Sequence, residues 1–166
     1  MLGVLGDVRR AFVTVAAQLD GTGGSAMRGV DQVTEALQVA VAHLDAQHAT
    51  EVDELSAELE RAGYPERSRT ALLKRQAERH RRQHRRARTD LLLEGITALE
   101  SVYRDVLAGP DAPRLNTDQP VLELTPRSSM EGIDACRKAR EAFEFNPNES
   151  LLLERLLLYL PAAKAS

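Results

Sequence analysis

The chain has 166 residues, a formal net charge of −3 and an aromatic share of only 4%, with no tryptophan. A chain of this length buries roughly 70% of its unfolded surface, so no staple is required, and the lone Cys136 excludes an intrachain disulfide framework and fits a reducing cytoplasm. Abundant Leu, Ala, Glu and Arg favour helix and exclude a β-sandwich or barrel, which would need more Val, Ile, Thr and aromatics.

In chain order, residues 1–6 are apolar but lack the basic segment and long apolar run of a secretory leader. Val8, Phe12, Val15, Ala16 and Leu19 then recur at steps of three and four, which predicts an amphipathic helix over 7–19. The run Gly21-Thr22-Gly23-Gly24-Ser25 stops it, with Ser25 able to cap a second helix. From Val30 the stripe Val33, Leu37, Val41, Leu44, His48, Val52, Leu55 and Leu59 makes that second helix a long one. Glu51, Asp53, Glu54, Glu58 and Glu60 make its second half acidic. Gly63 and Pro65 end it, because glycine accepts the left-handed helix end and proline forbids continuation.

A third helix starts near Glu66 or Ser68 and reaches Leu107, on a stripe of Leu73, Ala77, His80, His84, Ala87, Leu91, Ile96, Leu99, Tyr103 and Val106. Two long helices joined by a short turn run antiparallel, so residues 25–108 read as a helix hairpin behind the N-terminal helix and glycine-rich turn of 1–24. Residues 109–127 read as a loop, in which 116–125 can hold a short helix capped by Thr117 or Asp118, with Pro120 in its first turn. Ser128 and Glu131 stand at capping-box spacing before Ile133, Cys136, Ala139, Ala142 and Phe143. Asn148 can cap a last helix over 149–160, completing a C-terminal pair in 128–166. The whole chain, 1–166, is expected to be a single all-α domain, a helical bundle of about five or six helices built around the hairpin. The leucine-rich run 151–160 is interrupted by Glu154 and Arg155 and reads as a buried helix, not a membrane span.

Charge is uneven. Residues 67–88 contain a dense run of Lys and Arg with one acid, Glu78, while the remainder carries an acidic excess. One reading is a solvated helix face neutralised by the acidic half of its antiparallel neighbour. The other is contact with a polyanion through Arg81, Arg82, Arg85 and Arg86. No aromatic is interleaved for base stacking, and helix-turn-helix spacing is missing.

Recognisable reaction chemistry is missing from the sequence. Gly21, Gly23 and Gly24 are not followed by the Lys and hydroxyl of a phosphate loop. His80 and His84 share a helix face, but Arg81, Arg82 and Gln83 supply no glutamate base between them, and the flanking cations disfavour a metal ion. Asp45 and His48 make one acid-x-x-His where a di-iron bundle needs Glu-x-x-His twice. No catalytic residue, cofactor, metal, small-molecule substrate or membrane contact is therefore expected.

Three stretches in order resemble the C-terminal region of actinobacterial-type DNA polymerase III delta-prime subunits. They are Leu19-Asp20-Gly21-Thr22-Gly23, the basic helix through Arg88-Thr89-Asp90 with Tyr103-Arg104-Asp105 beyond it, and Asn146-Pro147-Asn148-Glu149-Ser150-Leu151-Leu152-Leu153. The resemblance implies a non-catalytic collar, or oligomerisation, domain of the replicative clamp loader. Such a domain assembles with the delta and gamma/tau subunits in DNA replication. It implies no ATP contact here, because Ser68-Arg69-Thr70 is not the family's serine-arginine-cysteine motif and the ATPase-like modules have no counterpart. Leu152, Leu156, Tyr103 and Arg104 are the residues expected at a partner interface. The other readings left open are a generic helical adaptor or self-associating bundle, and a nucleic-acid-binding protein using 67–88.

Overall fold

The computed structural model describes residues 2–118, 121–145 and 147–162, and all regular structure among them is helical. The helices are α1 (Leu2–Gln18), α2 (Gly23–Arg61), α3 (Glu66–Ala108), α4 (Pro126–Ala142) and α5 (Glu149–Tyr159), with a 3-10 turn at Phe143–Phe145. The all-α expectation is met. These residues group into two compact units, one formed by Met1–Leu37 with Leu91–Ser166 and the other by Gln38–Asp90.

In the first unit the core gathers one face from each helix. Phe12 and Val15 of α1, Val33 and Leu37 of α2, Leu92, Ile96 and Leu99 of α3, Cys136 of α4 and Leu153 of α5 are all essentially inaccessible. Two glycines make this packing close. A Cβ on Gly95 would stand 2.2 Å from the Phe12 ring, and one on Gly132 would stand 2.7 Å from the Tyr103 ring. Each helix therefore presents bare backbone to a buried aromatic.

The expected start of α2 at Ser25 moves back one turn. Thr22 caps the helix, its Oγ1 accepting from the Ser25 backbone N–H at 3.2 Å, while the Thr22 N–H and hydroxyl both donate to Asp20, at 2.9 and 2.6 Å. Gly21 supplies the positive φ of 81° that lets the chain turn between them. Hydrogen bonds from Ser25 and Thr22 hold the Asp20 carboxyl far below the usual aspartate range.

Residues 109–125 differ more from expectation. Among those described, none of 116–118 or 121–125 is helical; Gln119 and Pro120 lie outside the described residues. Tertiary hydrogen bonds take the place of a local helical ladder. The Asp105 carboxylate accepts from the backbone N–H of Leu115 and of Asn116, both at 2.8 Å, and from the Asn116 amide at 2.9 Å. The same amide donates to Ser101 at 2.9 Å, and its oxygen accepts from Arg9 at 2.6 Å. Asn116 is 2% exposed, so these bonds satisfy a polar side chain that water cannot reach.

The cap of α4 also sits earlier than Ser128. Thr125 accepts from the Ser128 N–H at 3.1 Å and Pro126 occupies the first helical position, where its missing N–H costs nothing. Glu131 pairs with Arg127 at 3.1 Å instead of closing a capping box. The cap of α5 is as expected: Asn148 accepts from the Leu151 N–H at 3.1 Å. Asn146, part of the resembling stretch, lies outside the described residues.

The second unit is an antiparallel helix pair. Gly63 at φ 70° ends α2 in a Schellman arrangement, with Tyr64 N–H donating to Leu59 and Gly63 N–H to Glu60. Side-chain pairs across it run in opposite order on the two helices. Glu60 meets Arg69 at 3.0 Å, Glu51 meets His80 at 2.8 Å, and Asp45 meets His84 at 3.5 Å.

Candidate functional site

The interior of the helix pair is partly polar. His48 and His80 stack face to face, ring centres 3.9 Å apart and planes within 6°. The Glu51 carboxylate lies 2.8 Å from His80 Nε2 and accepts from the Gln76 amide at 3.1 Å. The hydrogen bond from His80 holds the Glu51 carboxyl below its ordinary range, outweighing desolvation. Alongside runs an open groove of about 840 Å³ lined by Asp45, His48, Val52, His80, His84 and Arg85. Among the described residues no group of three or more His, Cys, Asp and Glu side chains converges as metal ligands would.

The expected neutralisation of the basic helix by its acidic neighbour is only partial. Among the described residues, Arg69 reaches a carboxylate across the pair, while Glu51 and Asp45 are taken by histidines. Arg86 pairs within its own helix, with Asp90 at 3.8 Å. Asp53, Glu54 and Glu58 are exposed, as are Arg81, Arg82 and Arg85, and none of these six carries an ion pair among the described residues. A periodic helix forces this outcome. Residues that pack the stripe face the neighbour, and the charges at other angles point to solvent.

The first unit carries a different kind of surface. On α5, Leu151 and Leu158 are 62% and 56% exposed, and Tyr159 is 72% exposed. Leu151 and Leu158 stand seven residues apart and so lie on one helix face. Beside Tyr159 a groove of about 510 Å³ opens between α4 and α5, with Ala135, Ala139, Leu152 and Leu156 inside and Asp134 and Lys138 at its edge. Among the described residues, Phe145, at 83% exposure, is the most exposed large apolar one.

The four residues expected at an interface fall differently. Tyr103 is fully buried against Gly132, which removes it from any surface, and burial pushes its phenol well above its ordinary value. Its hydroxyl has no hydrogen-bond partner among the described residues. Leu152 and Leu156 retain 7% and 3% exposure, within the groove. Arg104 is exposed and pairs with Glu100 at 2.6 Å; Glu100 is itself buried and also paired with Arg140. The leucines left outside are Leu151 and Leu158. Seven leucines in ten residues already exceed one stripe, and the choice between them depends on which side α4 covers.

Cys136 is inaccessible, and burial together with the Glu100 charge raises its thiol to about 12, so it stays neutral and unreactive. None of the described helices is long and apolar enough to cross a membrane. No family model matches the chain, and neither a curated protein nor a solved structure matches it.

Proposed function

We propose that this chain is a non-catalytic assembly domain of the clamp-loader collar type, joining delta and gamma/tau subunits as the delta-prime collar does. The observation that carries the reading is the exposed apolar face of α5, where Leu151, Leu158 and Tyr159 remain uncovered beside the α4–α5 groove. Several large apolar side chains left exposed on one short helix mark a contact face. The resemblance to the delta-prime C-terminal region supplies the partners. Two of the stretches that carry it have folding roles here: Asp20 and Thr22 open α2, and Asn148 opens α5 on the exposed face.

Burying a leucine is worth about 1.5–3 kcal/mol, so two interfacial leucines are worth roughly 3–6 kcal/mol, or at least about a hundredfold in affinity. The double substitution L151D/L158D is expected to abolish co-elution with the C-terminal regions of delta and gamma/tau, while leaving the chain helical by circular dichroism. Unchanged association by the double variant would refute the placement of the interface on α5. Homodimerisation that ignores both subunits would turn the reading toward a self-associating adaptor.

A further inference from the structure

The outer face of α3 is the strongest unassigned feature. Arg67, Lys74, Arg75, Arg81, Arg82 and Arg85 are all exposed and have no ion pair among the described residues. At 3.6 residues per turn these six fall within an arc of about 120°, and they extend about 27 Å along the helix. His80 is turned inward against His48 and Glu51, and Arg81 and Arg85 form the flank of the ridge that borders the groove beside it. One acid, the exposed Glu78, shares the arc. The engaged carboxylates of the neighbouring helix go to Arg69, His80 and His84, and its exposed Asp53, Glu54 and Glu58 make no ion pair with the ridge among the described residues.

We infer that this ridge binds the phosphate backbone of a nucleic-acid duplex without reading its sequence. A duplex presents about one negative charge per 1.7 Å of axis, so a 27 Å ridge meets more phosphates than it has cations to neutralise. The ridge segment holds no Phe, Tyr or Trp, which single-strand binders use to stack bases, and its His80 is buried against His48, so the duplex is the form it suits. Arginine also fits phosphate with two parallel N–H donors, and five of the six cations are arginine. This site lies on Gln38–Asp90 and does not depend on the assembly reading, whose contact face is on α5.

The test is fluorescence anisotropy with the full chain and a labelled duplex of arbitrary sequence, about 20 base pairs long so that it exceeds the ridge. Neutralising about four phosphates predicts a log–log salt slope near −3.6, which is a loss of roughly a hundredfold in affinity between about 50 and 200 mM salt. R81A/R82A/R85A is expected to weaken binding at least about tenfold and to flatten the slope by about 2.7, with unchanged helicity. R81K/R82K/R85K, which keeps the charge, is expected to retain binding. A duplex of scrambled sequence is expected to bind equally well. The inference is overturned by any of three results: no duplex binding at low salt, alanine variants that bind as well as the parent, or tighter binding to a single strand of the same length. Polyglutamate that displaces the duplex at equal charge concentration would also overturn it, and would point to an acidic protein instead.

Discussion

Asp105 ties the long connection after α3 to the helix itself, and its removal should be among the costliest single changes in the first unit. D105A deletes an acceptor of three hydrogen bonds, from Leu115 N–H, Asn116 N–H and the Asn116 amide. The Leu115 N–H can turn to water. Asn116 is 2% exposed, so its backbone donor is left without a partner, at about 1–3 kcal/mol, on top of the lost charge-assisted bonds. Allowing for non-additivity, the loss should be about 3 kcal/mol, or a fall in Tm of roughly 6–12 °C for a chain of this size. D105N keeps one acceptor but turns an amide group toward N–H donors, so about 2 kcal/mol is expected. Urea unfolding followed by far-UV dichroism and by tyrosine emission measures both, Tyr103 being buried nearby and tryptophan absent.

Acid adds a second signature. Burial alone would raise the Asp105 carboxyl, but the bonds from Leu115 and Asn116 and the charge of Arg114 outweigh it and hold it below the ordinary range. A depressed carboxyl stabilises fully above the unfolded value near pH 4 and loses that contribution as pH falls through its folded value. D105A should therefore show a shallower loss of stability below about pH 4 than the parent. A D105A chain within about 0.5 kcal/mol of the parent, with the same acid profile, would refute this account of the loop.

Two further substitutions probe the helices. N148A removes the cap of α5 at the Leu151 N–H and should cost about 1 kcal/mol, with faster hydrogen exchange confined to the first turn of α5. G95A and G132A gain about 1 kcal/mol each of helix propensity but drive a methyl into the Phe12 and Tyr103 rings. Overpacking costs about 1–3 kcal/mol, so both should lower Tm, G95A more than G132A because its contact is the closer.

The helices themselves are largely legible in the sequence because their signals are local. Gly63 and Pro65 mark the hairpin turn, and Asn148 followed by a leucine run marks the start of α5. Sequence and structure part where a distant residue decides. Asn116 has the local context of a short helix, yet hydrogen bonds with Asp105, Ser101 and Arg9 hold it out of one. Ser128 and Glu131 have the spacing of a cap, but Thr125 with Pro126 behind it starts the helix sooner.

The candidate surfaces are half legible for the same reason. Composition alone exposes the basic run and the leucine excess. It does not say that histidines take Glu51 and Asp45, leaving Arg81, Arg82 and Arg85 facing solvent. Nor does it say that α4 covers Leu152 and Leu156 but not Leu151 and Leu158, since that depends on the angle at which two helices meet.

The most direct test of the assembly reading is the mass of the complex in solution. Size-exclusion chromatography with light scattering would take the chain alone and then mixed with the C-terminal regions of delta and gamma/tau from the same source. The account predicts that the chain shifts into a single mixed species of defined mass containing all three. A chain that keeps its own mass in the presence of both would contradict it.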